Sequence, residues 1–67
     1  GKSIFECLTE IRIEFSCKLL LNSDLSIIQV AYESGFRNIS HFNHKFKEIM
    51  KMTPAEYRKN LLKEPEE

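Results

Sequence analysis

The sequence predicts an all-α fold: a small helical bundle with a long N-terminal helix, a helix-turn-helix and a C-terminal supporting helix. Two observations lead to this prediction. Apolar residues recur at helical spacing along most of the chain, and only two glycines and two prolines interrupt it. The period-two alternation and repeated turn signals of a sheet protein are missing. With 67 residues, the chain makes one domain with a modest core.

The charge of the chain is balanced overall and uneven along its length. The formal net charge is zero, yet residues 1–34 carry three basic and five acidic side chains, whereas residues 35–63 carry seven basic and two acidic ones. The positive field therefore belongs to the second half of the chain. The longest apolar run, Leu19-Leu20-Leu21, is too short for a membrane span or a signal peptide, which favours a cytoplasmic protein without a membrane partner.

The first helix is predicted over residues 3–21. Its apolar stripe is Ile4, Leu8, Ile11, Phe15 and Leu19, widened by Phe5, Cys7 and Leu20. The helix is expected to end near Asn22, which tolerates a left-handed stop. Cys7 and Cys17 would lie roughly 15 Å apart along this helix, beyond the Cα separation of about 7 Å that a disulfide allows. Both are therefore interpreted as buried, reduced side chains.

The second helix is predicted over residues 27–34 and ends in a corner. Ser26 and Gln29 have the spacing of a capping box, with Leu25 and Val30 as its hydrophobic staple. The helix directs Ile27, Val30, Ala31 and Ser34 to one face. Gly35 supplies the positive φ that the corner needs, and Phe36 is expected to fill the corner from inside.

The third and fourth helices have clear start signals. Asn38 caps a helix over 39–50, in which Phe42, Phe46 and Ile49 form the buried stripe. Thr53, Pro54 and Glu56 supply a cap, a first-position proline and the glutamate of a capping box for a helix to about Leu62. Its inward residues are Tyr57 and Leu61. Residues 64–67 are expected to be frayed.

The outer face of helix 39–50 has the properties of a DNA-recognition helix. Ile39, Ser40, Asn43 and His44 are the predicted base-contacting residues, because asparagine pairs with adenine, hydroxyl and imidazole groups bond several base edges, and isoleucine can touch a thymine methyl. The predicted phosphate-contacting residues are Arg37, Asn38, Lys45 and Lys47. The plain alternative is a solvated helix face without a partner.

Other chemistry finds less support in the sequence. His41 and His44 are spaced to share a metal ion, but a structural zinc site wants four ligands and no cysteine lies near them. Gly1-Lys2-Ser3 lacks the preceding strand and glycine of a phosphate-binding loop. No nucleophile–base pair stands out. The sequence therefore predicts no catalytic residue, no metal and no cofactor.

The chain resembles the AraC/XylS transcription regulators. The resemblance rests on Ala31, Gly35-Phe36, Ser40, Phe42, Phe46-Lys47, and Thr53-Pro54 with Tyr57-Arg58, in matching order and spacing. Upstream, Arg12-Ile13-Glu14 and Lys18-Leu19-Leu20 are similar to the family's linker helix. The resemblance covers nearly all of residues 5–60.

The resemblance implies a homeodomain-like fold and sequence-specific DNA binding, with helix 39–50 in the major groove. The family joins two helix-turn-helix units by a linker helix. This chain is similar to the linker, residues 1–22, and the second unit, residues 23–63, so we expect a fragment. Three departures stand out: Lys51 replaces a glycine, with a left-handed stop costing about 1 kcal/mol; His44 replaces arginine; Cys7 and Ser16 replace tyrosine and alanine.

Three expectations about partners follow. The partner is double-stranded DNA, bound weakly and with strong salt dependence because few phosphates are met. The linker helix exposes apolar residues that a first unit would cover, so the fragment self-associates. The alternative function is a helical protein-interaction module that contacts RNA polymerase or a partner domain through the linker face.

Overall fold

Four α-helices make up the molecule. The computed structural model describes residues 3–62, with side chains to residue 60, and has no strand in that range. The helices are α1 (Ile4–Asn22), α2 (Ile27–Glu33), α3 (Ile39–Met50) and α4 (Pro54–Leu62). The predicted all-α fold is confirmed, and α3 begins and ends at the predicted residues. The predictions for the Leu61 side chain, residue 63 and residues 64–67 lie outside the described residues.

Hydroxyl and amide side chains start the helices. Ser3 and Glu6 form a complete capping box on α1, and Thr53 and Glu56 exchange both of their bonds at 3.1 Å on α4. The Asn38 side chain accepts the His41 N–H at 3.1 Å at the start of α3. At α2, Ser26 accepts the Gln29 N–H, while the predicted return bond from the glutamine is absent from the hydrogen bonds described for residues 3–60.

The helix ends differ in mechanism. Gly35 has a φ of +99° at the corner, as predicted. Lys51 stops α3 in the left-handed conformation, with φ 68° and its N–H bonded to the Lys47 carbonyl. The expected left-handed stop at Asn22 is wrong. Instead, Ser23 is extended, and its N–H and hydroxyl both donate to the Leu19 carbonyl, so the last turn of α1 is closed by a side chain.

The core lies between α1 and the other three helices, all of which contact it. Its buried apolar residues are Ile13, Cys17, Leu20, Val30, Ala31, Phe36, Phe42 and Phe46. The side chains of Phe42 and Phe46 are fully buried, and each contributes about 3–5 kcal/mol relative to alanine. The predicted positions of Val30, Ala31, Phe36, Phe42 and Phe46 in the core are confirmed.

Most of the apolar stripe predicted for α1 lies outside the core, as the resemblance implies for a linker helix that a first unit would cover. Ile4 and Phe5 are each 78% exposed, and Leu8, Ile11 and Phe15 are also exposed. The core instead receives the opposite face, formed by Ile13, Ser16, Cys17 and Leu20. Of the two cysteines predicted to be buried, Cys17 is buried and Cys7 is exposed, so the prediction for Cys7 is wrong. Both faces of α1 carry apolar residues, and the small Ser16 hydroxyl is satisfied by the Ile13 carbonyl at 2.6 Å, which lets other helices approach closely.

An aromatic row holds α3 on the core. Phe36, Phe42, Phe46 and Tyr57 follow one another with ring centroids 5.2–5.7 Å apart. Their tilted and edge-to-face geometries are the favoured ones for aromatic pairs. The row runs from the corner, along the inner face of α3, to α4. The orientation of α3 relative to the core is therefore fixed near its start by Phe36 and near its end by Tyr57.

A single arginine fastens α4 to the end of α1. The Arg58 guanidinium donates from Nε to the Leu20 carbonyl at 3.0 Å and from Nη2 to the Ser23 carbonyl at 3.1 Å. These bonds satisfy carbonyls that a helix end leaves unpaired, and the positive charge complements the helix dipole there. None of the described helices has the length and apolar content that a membrane crossing requires.

Candidate nucleic-acid interface

The two sides of α3 differ in burial. Phe42 and Phe46 face the core with no exposed surface. The opposite side presents exposed polar and basic residues at the spacing of one helical face: Ser40, Asn43, His44 and Lys47. We call these four residues the α3 outer face. Since its side chains have no hydrogen-bond or ion-pair partner among those described for residues 3–60, they are available to a ligand.

The four predicted base-contacting residues all lie on α3, but they differ in how far their side chains are exposed. Ser40, Asn43 and His44 are all exposed on the α3 outer face. Ile39 lies at the start of α3 but is half-buried and packs against the core. Only part of its surface is therefore free to meet a thymine methyl group.

The predicted phosphate-contacting residues fall into two groups. Arg37 and Asn38 are exposed at the N-terminus of α3, and Lys47 is exposed in its last turn. The Asn38 Oδ1 already accepts the His41 N–H, so its amide NH₂ is the group left to donate to a phosphate oxygen. The free N–H groups and dipole of the helix start favour an anion at the same end.

Lys45 has a different environment. Its Nζ lies 3.3 Å from the Glu48 carboxylate. Both residues line a groove between α1 and α3 that also includes Glu6 and Glu10. Lys45 is thus half-buried among acidic groups, which compete with a phosphate for its charge. An ion pair that water can reach, as here, contributes at most about 1 kcal/mol.

His41 lies in the first turn of α3, facing the space between α1 and the corner. Its ring meets Phe36 edge-on, with centroids 5.7 Å apart. Within the described part of the chain, no three histidine, cysteine, aspartate or glutamate side chains gather as metal ligands would. The observed role of the ring is its contact with Phe36 at the corner.

Arg12 is a charged neighbour of this surface that was not among the predicted DNA-contacting residues. It belongs to α1, yet its side chain lies beside Gly35 and lines a groove with Arg37 and the first turn of α3. A separation of 25 positions between Arg12 and Arg37 leaves no periodic signal that connects them. Only the packing of α1 on the corner does so.

The fold and this surface define the class of protein. α2, the Gly35 corner and α3 form a helix-turn-helix with an exposed recognition helix. A family model described as "Helix-turn-helix domain" matches residues 1–60. The chain belongs to this family, and its relatives identify it as an AraC/XylS-type module of DNA-binding transcription regulators.

Three relatives illustrate the relationship. The TCP pilus virulence regulatory protein of Vibrio cholerae serotype O1 is 39% identical over 57 residues, which are 85% of this chain and 21% of that protein. The HTH-type transcriptional regulator GlxA of Rhizobium meliloti is 36% identical over 59 residues, 88% of this chain and 18% of the relative. ExsA of Pseudomonas aeruginosa is 39% identical over 51 residues, 76% of this chain and 18% of the relative.

A solved structure shows the same fold. The C-terminal domain of the two-component response regulator yesN from Fusobacterium nucleatum superposes with a TM-score of 0.82 at 33% identity. The match covers 87% of this chain and 56% of that domain. The chain thus spans about a fifth of the length of the curated relatives and little more than half of the solved domain. GlxA and ExsA are HTH-type transcriptional regulators, and the other two named proteins are regulators as well.

Proposed function

We propose that α3 enters the major groove of DNA and reads a specific sequence as part of a bacterial transcription regulator. One observation carries this proposal: the helix is anchored by fully buried Phe42 and Phe46 while its outer face carries unpaired polar and basic groups. An α-helix fits the major groove, where the donors and acceptors of each base pair are distinct. A helix fixed on a rigid core presents these groups at a constant angle.

In this proposal, bases and phosphates are met by different residues. Asn43 is placed to pair bidentately with adenine, and Ser40 and His44 bond neighbouring base edges, with the exposed part of Ile39 beside them. Arg37, the Asn38 amide and Lys47 neutralise phosphates. Lys45 joins them once DNA displaces it from Glu48. The role is binding without catalysis, and it requires no cofactor. Its place is the bacterial cytoplasm, where the DNA lies.

Selection from a pool of random duplexes, followed by titration, tests this proposal. Asn43→Ala is expected to relax the preference at one base position at a cost of about 1–3 kcal/mol, because only one base pair loses its partner. Lys47→Ala is expected to weaken binding to all sequences alike and to lower the salt slope by about one. Lys59→Ala, an exposed charge removed from α4, is the control and leaves both properties unchanged. Unaltered selection by the Asn43 variant would contradict the proposed reading role.

The exposed face of α1 supports a second proposal, which concerns partners within the longer regulator. We infer that α1 is the linker between two units and that residues 23–63 are the second unit. Leu8, Ile11 and Phe15 then pack against the first unit, since a helix that is apolar on opposite faces is normally covered on both. In the 67-residue chain alone, the same face binds a second copy.

RNA polymerase is the alternative occupant of this face. A regulator that covers α1 with its own first unit leaves polymerase no access to Ile11. A photo-crosslinking amino acid at position 11 of the longer regulator is therefore expected to react within the same polypeptide. Crosslinks to polymerase subunits, with none inside the regulator, would favour the alternative.

A further inference from the structure

An open groove of about 270 Å³ lies between α1 and the helix-turn-helix corner. Thr9 and Arg12 line it from α1, and Arg37, Asn38 and His41 line it from the corner and the first turn of α3. Two guanidinium groups and the positive end of α3 therefore border one space. Among the described residues that line this groove, none is a carboxylate.

The Arg12 side chain passes directly over the corner glycine. A Cβ added at Gly35 would lie 3.1 Å from the Arg12 Nε and 3.4 Å from its Cδ. Glycine thus serves two purposes here: it adopts the positive φ of the corner, and it leaves room for the guanidinium stem. The contact places the Arg12 side chain at the corner, on the same groove that Arg37 lines, although the two residues come from different elements.

The neighbouring groove, which was described above for Lys45 and Glu48, has a different charge. One turn further along α3, the groove between α1 and α3 is lined by Glu6, Glu10 and Glu48 together with Lys45. The carboxylates line the groove at Lys45 and the two arginines line the groove at Arg12, so the second groove has the charge that suits an anion. No described ion pair occupies either Arg12 or Arg37 within residues 3–60.

We propose that Arg12 and Arg37 together hold one phosphate of the DNA backbone in this groove, beside the N-terminus of α3. The proposal rests on the function proposed above and adds α1 to the DNA-binding surface. A phosphodiester is the ligand of choice because the planar fork of a guanidinium bonds two of its oxygens at once. DNA is its source because Arg37 and Asn38 lead directly into the α3 outer face. The shared phosphate would fix how far α3 enters the major groove of the DNA and at what angle.

Salt-dependent binding of the 67-residue chain to a fluorescein-labelled duplex of mixed sequence tests this proposal. Arg12→Gln keeps the stem over Gly35 and removes the charge. We expect it to weaken binding roughly tenfold at low salt and to lower the slope of log Kobs against log salt by about one. Arg12→Lys keeps the charge and is expected to keep the slope. Circular dichroism verifies that each variant is folded.

Lys18→Ala is the matched control, because it removes a charge from the same helix away from the groove, and it should leave slope and affinity unchanged. A double-mutant cycle with Arg37→Ala tests the sharing: Arg12→Gln should cost less affinity when Arg37 is already absent. Strictly additive losses would overturn the shared site. An unchanged slope for Arg12→Gln, with a lowered slope for Lys47→Ala, would overturn this proposal and leave the proposed function standing. If the wild-type chain itself shows no salt-dependent binding, both are overturned.

Discussion

Lys51 ends α3 in a left-handed backbone conformation that is strained for any residue with a Cβ. It is the only non-glycine residue with positive φ among the described residues, at φ 68° and ψ 18°. A Cβ in this conformation crowds the following carbonyl oxygen at a cost of about 1–2 kcal/mol. Glycine removes this strain but increases the conformational entropy of the unfolded chain, which offsets part of the gain in stability. Lys51→Gly should therefore raise the free energy of unfolding by about 0.5–1 kcal/mol and the melting temperature by a few degrees.

Lys51→Ala separates the backbone effect from the loss of a charge. Alanine keeps the Cβ and removes the ammonium group, so it should give no gain in stability. Thermal unfolding followed by circular dichroism measures all three proteins. Equal melting temperatures for the glycine and alanine variants would show that the left-handed geometry at position 51 is not costly.

Cys17 and Tyr57 make the stability of the core sensitive to alkaline pH. Burial raises the pKa of the Cys17 thiol above 9.0, an effect opposed by the hydrogen bond from Tyr57 and reinforced by nearby Glu14. Burial, followed by the same hydrogen bond, raises the pKa of Tyr57 above 10.0. Folding thus favours the neutral form of both groups. The resulting stabilisation is complete below pH 9.0 and is lost as the pH rises through the folded-state pKa values.

The measurement is the melting temperature as a function of pH. We expect a plateau near neutrality and a decline above pH 9.0. Cys17→Ala removes one of the two groups and should make this decline shallower, whereas Cys7→Ala, at an exposed position, should leave it unchanged. The same slope in wild type and Cys17→Ala would contradict a contribution from the buried thiol.

At the scale of elements, α3 and α1 show which sequence signals are sufficient to predict where a helix lies and which of its faces is buried. The bounds of α3 were predictable because Asn38 caps its start, and its phenylalanines recur on one side only. The position of α1 was predictable, but its buried face was not. Ile11 and Phe15 recur as regularly as Ile13 and Leu20, so helical period alone cannot tell which face meets this core. The face that meets the core carries the small, fully buried Ser16 beside Ile13 and Leu20.

The candidate site likewise contains residues whose exposure follows from helical spacing and residues whose surroundings depend on packing between elements. Ser40, Asn43, His44 and Lys47 follow from the period of one helix, and all four are exposed. The half-burial of Ile39 and the acidic surroundings of Lys45 depend on contacts with other elements, which a single period does not report. The proximity of Arg12 to the corner is likewise a product of packing between α1 and Gly35.

The junction of α4 with α1 is an element-scale contact whose strength can be measured. Arg58→Ala removes two charge-assisted bonds and leaves the Leu20 and Ser23 carbonyls without this donor. It should lower the free energy of unfolding by about 1.5–3 kcal/mol, and Arg58→Lys should restore only part of it because one ammonium cannot match the fork. Lys59→Ala is the control on the same helix. Urea denaturation showing equal losses for Arg58→Ala and Lys59→Ala would contradict a role for the two bonds.

At the scale of the whole molecule, the four helices share one core while α1 carries a second apolar surface. Ile4, Phe5, Leu8, Ile11 and Phe15 are 43–78% exposed and lie along one side of the helix. A continuous exposed stripe of large apolar side chains is typical of an interaction surface. In the 67-residue chain alone, a second copy can cover it, since antiparallel packing of two such helices removes both stripes from water.

Sedimentation equilibrium over a range of concentrations measures this association. The wild-type chain should show an apparent mass that rises with concentration towards that of a dimer. Ile11→Glu keeps the helix propensity of α1 and should weaken association by at least tenfold, about 1.4 kcal/mol, because it places a charge in the middle of the apolar contact. Ile28→Glu makes the same exchange at an exposed position of α2 and should leave association unchanged. A wild-type chain that stays monomeric at the highest concentration would show that its exposed α1 face does not bind a second copy.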